Sequence, residues 1–175
     1  MLNSVTYLSE AACIEARPRM DAAVISITEP GRKAPLNEGW GAVYRIQFSD
    51  AEWDDGMVER LQARGMRFDP ESKGFPGPSS TAELLVAIHD IELRGAVSHV
   101  VVHCHAGRRR SAAVARFIAQ RHGLPFDMSY DGYNRTVFRL LNNPPQRATV
   151  AEDRAAGSWL TRWWNAIQGT DTHRA

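Results

Sequence analysis

The chain of 175 residues has few cysteines, little excess charge and no long apolar run. Its two cysteines, Cys13 and Cys104, are far apart and lack the spacing of a zinc site, so we expect neither a disulfide scaffold nor a bound metal. A formal net charge of +1 argues against bulk electrostatic binding of nucleic acid, which usually goes with a strongly basic domain. No Gly-x4-Gly-Lys motif is present, so the use of nucleoside triphosphates is not indicated.

Neither a membrane span nor a secretory leader is predicted. No segment reaches the ~18 apolar residues that a spanning helix needs, and the N-terminus lacks a basic region followed by an apolar core. We therefore expect a cytoplasmic protein in a reducing compartment, where thiols persist. With 43% hydrophobic and 23% charged residues, the chain suits one globular domain with a substantial core.

Apolar and alternating segments predict strands with helices between them. Ala22 to Ile27 indicates a central strand, and His99 to Val102 suits a strand buried on both faces, as in a parallel sheet. Weaker alternation predicts an edge strand at Val5 to Leu8 and a further strand at Val43 to Phe48. The predicted helices cover Glu10 to Ala16, Met57 to Ala63, the stretch after Ser79, Ala112 to Arg121 and roughly Ser129 to Asn142.

A tryptophan-rich stripe is predicted near the end of the chain, on a helix at about residues 151–168. Its apolar residues are Trp159, Leu160, Trp163, Trp164 and Ile167. Such a face must be covered. We expect it to pack on its own domain, with homodimerisation or a membrane surface as alternatives. Residues 1–168 then form the domain, and residues 169–175 form a disordered tail.

The chemistry of the sequence is concentrated in residues 104–110, here called the Cys-x5-Arg loop, which joins a predicted strand to a predicted helix. Ser111 is expected to cap that helix, and Gly107 permits a turn that other residues resist. Unpaired N–H groups in such a loop form a nest for a phosphate-sized anion. Arg110 offers that anion a planar, bidentate fork. Cys104 lies in the same positive field, which favours a nucleophilic thiolate.

The motif His103-Cys104-x5-Arg110-Ser111, with Gly107 third after the cysteine, resembles the signature loop of cysteine-dependent protein phosphatases, the tyrosine and dual-specificity group. Chain length and cysteine position are similar to those of the small dual-specificity-like bacterial branch. The chain departs from the family at Arg109, where a small or hydroxyl residue is common. The resemblance implies an α/β single domain with a mostly parallel central sheet, helices on both faces, and no cofactor.

The resemblance also implies a phosphomonoester hydrolase with a phosphocysteine intermediate on Cys104. The expected substrate is a phosphorylated protein or a small phosphomonoester. Ser111 would donate to the departing sulfur, and His103 would position the cysteine through hydrogen bonds rather than carry a proton. The substrate phosphate would be held by Arg110 and by the backbone N–H groups of His105, Ala106, Gly107, Arg108 and Arg109.

The family uses an Asp upstream of the cysteine as general acid. Asp50 and Asp69 are the leading candidates here, with Asp54 and Asp55 behind them as expected surface or helix-start charges. Asp50 directly follows the strand predicted at Val43 to Phe48. Because the carboxyl ends of strands line the ligand crevice of an open α/β sheet, Asp50 ranks first. Asp69 lies in the long stretch from 51 to 77, at a more ordinary family distance before the cysteine, and ranks second.

Other interpretations of the loop remain open. A Cys that ends an apolar strand is usually an inert buried residue, and three successive Arg can be a solvated surface run or a nucleic-acid patch. Their combination at this spacing favours catalysis. A phospho-ligand binding module without turnover is one alternative, and sulfur transfer on a rhodanese-like loop is another, against which His103 and Ser111 count. If Arg108 and Arg109 face the substrate, a phosphoinositide or an RNA 5′-phosphate is indicated.

Overall fold

The structure, a computed structural model, describes residues 1–144. Its strands form one all-parallel sheet in the order β1-β4-β2-β3. The strands are β1 (Ser4–Ser9), β2 (Ala22–Thr28), β3 (Ala42–Gln47) and β4 (His99–Cys104). The helices are α1 (Glu10–Glu15), α2 (Asp55–Ala63), α3 (Pro78–Leu93), α4 (Arg110–His122) and α5 (Arg135–Asn142), with a 3-10 turn at Glu71–Lys73. The expected single α/β domain with a parallel sheet is confirmed.

The middle of the sheet consists of β2 and β4, its most apolar strands. Every residue of β2 is buried, and Val24 and Ile25 are completely inaccessible to solvent. The register sets Ile25 opposite Val102 of β4, so β-branched side chains pack side by side. A strand covered on both faces needs small or apolar residues at nearly every position. This is why the sequence identified the central strand correctly and the edge strand β1 only from a weaker pattern.

Helices cover both faces of the sheet. On one face, α4 packs against β1 and β4, α3 packs against β3, and α5 packs against α3 and α4. Their shared core includes Leu84, Ile88, Val114, Ile118 and Leu141. Side chains of neighbouring strand residues point to opposite faces of a sheet. Ser26 and His103 are register partners that follow Ile25 and Val102, so they lie on the face opposite to these two residues. Here Glu10 of α1 acts electrostatically on His103, and Cys13 of α1 is buried.

The start of α4 differs from the sequence-based prediction. The helix begins at Arg110, and Arg109 at the N-cap position makes no side-chain capping bond. Ser111 lies in the first turn, where its Oγ is 3.2 Å from Cys104 Sγ. The predicted Ser111 cap is therefore wrong. The backbone N–H of Ser111 hydrogen-bonds to the sulfur of Cys104. In a capped helix, an N–H at this position usually binds the side chain of the N-cap residue; here it binds the thiol.

The start of α5 also differs from its prediction. The helix begins at Arg135 and is capped by Asn134, whose Oδ1 accepts from the backbone N–H of Val137 at 2.9 Å. Upstream, Asp127 Oδ1 accepts from the backbone N–H of Ser129 at 3.0 Å. Such side-chain bonds to the backbone compete with helical ones. The predicted start at Ser129 is therefore wrong, and Asn134 stands at the helix end instead of inside the helix.

The predicted tryptophan-rich helix at about residues 151–168 and the predicted tail at 169–175 lie outside the described residues. The proposed domain boundary at residue 168 lies there too. In the part of the chain that the structure describes, every helix is too short or too polar to cross a bilayer.

Candidate active site

The Cys-x5-Arg loop leaves the sheet at the carboxyl end of β4, beside the start of α1. β1 and β4 end in register, with Ser9 opposite Cys104. The backbone N–H of Glu10 donates to the carbonyl oxygen of His105 at 3.2 Å, which ties the loop to α1. The loop thus lies at the sheet edge where ligands of open α/β folds bind.

Gly107 brings the loop into close contact with the β1–α1 junction. Its φ of +66° lies in the left-handed region that residues with a Cβ disfavour. A Cβ at this position would lie 2.2 Å from the backbone nitrogen of Ser9 and 2.5 Å from the carbonyl carbon of Leu8. The position therefore requires glycine for two independent reasons, the backbone angle and the lack of space.

The sulfur of Cys104, a residue only 2% exposed, is surrounded by hydrogen-bond donors. Ser111 Oγ lies 3.2 Å from Sγ, and the backbone N–H groups of Gly107, Arg108 and Ser111 also hydrogen-bond to the sulfur. The loop and the first turn of α4 thus direct several donors at the thiol.

Two opposing effects act on the pKa of the Cys104 thiol. Burial raises the pKa, because a buried thiolate loses hydration. The hydrogen bonds from Ser111 Oγ and from the N–H groups of Ser111, Arg108 and Gly107 lower the pKa, and their combined effect is the larger. The pKa of Cys104 therefore lies below its ordinary value, which favours a reactive thiolate.

Cys13 provides the opposite case in the same chain. It is 1% exposed, and burial together with the charge of Glu10 raises its pKa to about 11. Both thiols are buried, so burial does not explain their difference. The donors around Cys104 do, because each of them stabilises the thiolate relative to the thiol.

Arg110, the first residue of α4, is buried, with 3% of its surface exposed. Its Nη1 donates to the carbonyl oxygen of Phe48 at 2.6 Å, and its Nη2 lies 2.9 Å from Oε1 of Glu29. These contacts fix the guanidinium beside the ends of β2 and β3. Nε is buried and has no hydrogen-bond partner within residues 1–144. A buried, permanently charged donor of this kind is suited to bind an anion.

His103 is completely buried, and neither of its ring nitrogens has a hydrogen-bond partner in the described part of the chain. The expected hydrogen bond to the cysteine is therefore absent there. Strand alternation turns the two side chains to opposite faces of the sheet. Burial lowers the pKa of His103 to about 4 against the opposing effect of Glu10, and Arg45 and Arg32 lower it further. The imidazole is thus neutral near neutral pH.

Asp50 lies beside the Cys-x5-Arg loop, just beyond β3. Its Oδ1 accepts a hydrogen bond from Asn134 Nδ2 at 2.8 Å and one from Arg109 Nε at 3.3 Å. Arg109 belongs to the same loop as Cys104, so its hydrogen bond to Asp50 connects the acid candidate to the loop that carries the nucleophile candidate. The side chain of Asp50 remains 30% exposed, which leaves it accessible to a ligand.

Asp69 has a different role. It is exposed, and its Oδ1 accepts from the backbone N–H groups of Glu71 at 3.1 Å and Ser72 at 3.4 Å, at the start of the 3-10 turn. It also lines a groove of about 730 Å³ next to Trp53. The described residues that line this groove include none from the Cys-x5-Arg loop. Of the two acid candidates, only Asp50 has a described contact with that loop.

The exposed rim of the loop consists of His105, Ala106, Arg108 and Arg109. Arg109 is engaged with two carboxylates: its Nε lies 3.3 Å from Asp50 and its Nη2 lies 2.8 Å from Glu52. Arg109 therefore faces the acidic segment after β3. Because these two carboxylates offset the charge of its guanidinium, Arg109 is not available to bind a second anionic group of a ligand.

Glu29, Glu52 and Asn134 complete the site, and sequence reasoning missed all three. Glu29 stands in a Pro-Gly-rich loop and shows no pattern that predicts its pairing with Arg110. Glu52 contacts Arg109 and also accepts the backbone N–H of Arg135 at 3.0 Å. Asn134 alone had a usable signal, since an Asn before an apolar helical run is a typical N-cap.

The contrast between the two thiols can be measured directly. Iodoacetamide should alkylate Cys104 at lower pH than Cys13, since the thiolate is the reacting species and the two pKa values are shifted in opposite directions. Ser111→Ala removes one donor and should raise the pKa of Cys104, moving its alkylation profile to higher pH. Peptide mass spectrometry across a pH series follows both cysteines in one sample. Coincident profiles for the two thiols would refute the donor argument.

The glycine requirement has a matched control. Gly123→Ala also introduces a Cβ at positive φ, but nothing lies within 4 Å of it, so it should cost only about 1 kcal/mol of unfolding free energy. Gly107→Ala adds overlap with the β1–α1 junction and should cost about 3 kcal/mol or more. Urea unfolding compares them. Equal losses of unfolding free energy in the two variants would mean that the close approach of Gly107 to Ser9 does not contribute to the cost of Gly107→Ala.

Comparisons of the chain with protein-family models, with curated proteins and with solved structures found no match. Among residues 1–144, no group of three or more His, Cys, Asp or Glu side chains is placed to hold a metal ion. The chemistry of the site is therefore inferred from the donors around Cys104, the buried Arg110 and the neighbouring Asp50.

Proposed function

We propose that the chain is a phosphomonoester hydrolase that acts through a phosphocysteine intermediate, as protein tyrosine and dual-specificity phosphatases do. The observation that carries this proposal is the ring of donors around Cys104 Sγ, with Ser111 Oγ at 3.2 Å and three backbone N–H groups. Such a ring stabilises a thiolate, and the start of a helix of this kind binds oxyanions. The unpaired Nε of the buried Arg110 further supports an anionic ligand.

In the first step, the Cys104 thiolate attacks phosphorus in line with the ester oxygen. A sulfur–phosphorus bond forms, the phosphorus–oxygen bond breaks, and the leaving oxygen takes a proton from Asp50. Arg110 and the loop N–H groups stabilise the charge on the three equatorial oxygens. Glu29 and the Phe48 carbonyl hold the Arg110 guanidinium in place before substrate binds, so little reorganisation is required.

In the second step, water hydrolyses the phosphocysteine. The oxygen of water attacks phosphorus while Asp50, now a carboxylate, takes a proton from that water. The sulfur–phosphorus bond breaks, and inorganic phosphate and the Cys104 thiolate are released. Ser111 donates to the departing sulfur, which the 3.2 Å contact with Sγ allows. His103 has no proton-transfer role, because its imidazole is buried and neutral.

A singly phosphorylated substrate fits the rim best. A polyphosphorylated lipid or an RNA 5′ end would favour a cluster of uncommitted cations near the loop. Asp50 and Glu52 offset the charge of Arg109, so of the two exposed loop arginines only Arg108 has no carboxylate partner among residues 1–144, and a single cation is not a cluster. The favoured substrates are therefore phosphorylated proteins, phosphotyrosine included, and small phosphomonoesters. A reducing compartment such as the cytoplasm suits a thiolate enzyme, since oxidation of Cys104 would end nucleophilic attack.

A second candidate is a phospho-ligand binding module without turnover. One observation favours it: Asn134 and Arg109 both donate hydrogen bonds to Asp50. The carboxyl that the hydrolase needs as an acid is therefore already bound by two other side chains. A turnover assay with the unmodified protein separates the two functions. Binding of vanadate or phosphate without any release of phosphate from an aryl phosphate would favour the module.

The nucleophile and the anion-binding cation have distinct signatures in the assay. Cys104→Ser should lower kcat on an aryl phosphate by about 10⁴-fold or more. Arg110→Lys should lower kcat/KM on the order of 100-fold or more, because an ammonium cannot reproduce the bidentate fork. Cys13→Ser and Arg121→Lys, the same changes away from the loop, should keep near-native activity and circular dichroism. Near-native turnover of Cys104→Ser would end the proposal.

The general acid is identified by pH dependence. A general acid must carry its proton in the transition state, so the rate on phenyl phosphate should fall as pH rises through its ionisation. Asp50→Asn should lose about 100-fold or more in kcat and lose this alkaline limb of the profile. Asp69→Asn should keep both kcat and the limb. The reverse pattern would move the role to Asp69, and no effect of either change would exclude both.

A further inference from the structure

We propose that Asn134 is a positioning residue for the acid–base step: it holds the Asp50 carboxyl beside the Cys-x5-Arg loop and directs the acidic proton to Oδ2. This inference rests on the proposed phosphatase function. Asn134 precedes α5 and is completely buried. A buried amide must be fully hydrogen-bonded, and each bond of this amide has a defined partner.

The orientation of the amide is fixed by backbone groups. Its Oδ1 accepts from the backbone N–H of Val137 at 2.9 Å, and its Nδ2 donates to the carbonyl oxygen of Ala51 at 3.0 Å. A backbone N–H only donates and a carbonyl only accepts, so the amide cannot be flipped without losing both bonds. Its second N–H therefore donates to Asp50 Oδ1, at 2.8 Å.

Asn134 also joins the acid segment to the nucleophile loop. Its backbone N–H donates to the carbonyl oxygen of Arg109 at 3.0 Å, while its side chain binds Asp50 and Ala51. One residue thus contacts the segment after β3, the Cys-x5-Arg loop and the first turn of α5. The place of Asp50 relative to the loop depends on this residue.

Arg109 also contacts Asp50, but it is the weaker constraint. Its Nε is 3.3 Å from the carboxylate and its side chain is 46% exposed, and ion pairs between solvent-exposed groups contribute little free energy because water screens them. The Asn134 donor is buried, and its bond to Asp50 is shorter. When substrate enters, Arg109 can turn to solvent while Asn134 keeps the carboxyl in place.

The hydrogen bond from Asn134 also selects the oxygen that carries the proton. A carboxylic acid whose Oδ1 accepts an N–H bond carries its own O–H on the other oxygen, Oδ2. Arg109 Nε also lies 3.3 Å from Oδ2 of Asp50. Once Arg109 turns to solvent, Asn134 on Oδ1 leaves Oδ2 to donate to the leaving oxygen in the first step and to accept from water in the second.

An N-cap by itself does not need an amide. Ser and Asp cap helices about as well as Asn, but Ser is too short to reach Asp50, and Asp would set two carboxylates against each other. Asn134→Ser thus keeps the cap and removes the donor. Asn142→Ser makes the same chemical change away from the site, at an exposed Asn near the other end of α5 whose Nδ2 donates to the carbonyl oxygen of Phe138 at 2.8 Å.

The test compares two substrates that differ in leaving group. Phenyl phosphate needs a proton on its leaving oxygen, whereas 2,4-dinitrophenyl phosphate does not. Asn134→Ser should lower kcat on phenyl phosphate on the order of 10-fold to 100-fold with little change in KM. On the activated ester the loss in kcat/KM, which reports only the steps up to formation of the phosphocysteine, should be less than about twofold. Asn142→Ser should leave both substrates unaffected.

A double variant separates positioning from general destabilisation. In the Asp50→Asn background, Asn134→Ser should cause no further loss on phenyl phosphate, because the group that it positions is already disabled. Equal losses in kcat/KM on both esters, or additive losses in the double variant, would overturn the positioning role while leaving the proposed function intact. A native chain that hydrolyses neither ester, or whose hydrolysis survives Cys104→Ser, would overturn the proposed function and this inference together.

Discussion

The structure of the site depends on one electrostatic arrangement: a buried sulfur at the point where backbone N–H groups of a loop and a helix start converge. Burial alone would disfavour the thiolate, as it does at Cys13. At Cys104 the donors from Gly107, Arg108 and Ser111 outweigh burial. The same donors that stabilise negative charge on sulfur are suited to a phosphate-sized anion.

The loop keeps this shape because several elements hold it from outside. Gly107 lets it approach the β1–α1 junction, where a side chain would overlap the backbone of Ser9. Arg110 is fixed by the ends of β2 and β3 through Glu29 and Phe48. The start of α5 connects to the loop through a backbone hydrogen bond to the carbonyl of residue 109. A parallel sheet makes these contacts possible, because its strands all end at one edge.

The errors of sequence reasoning at the site share a cause. Ser111 has the residue type of a helix cap, but its hydroxyl contacts sulfur. A helix was predicted from roughly Ser129 to Asn142, but it begins only at Arg135, after the Asn134 cap. His103 was expected to bond the cysteine, and its ring lies on the other face of the sheet. In each case a contact with another segment, a competing side-chain bond or the alternation of the strand outweighed local preference.

The sequence by itself determined the central strands and the Cys-x5-Arg loop, because apolar runs and the spacing of Cys104, Gly107 and Arg110 are local patterns. It also put Asp50 at a strand end. Only the tertiary structure decided that Glu29 pairs with Arg110, and that Asn134 and Arg109 meet Asp50. These partners come from separate segments, and no local pattern encodes which of the many charged and polar side chains folding brings together.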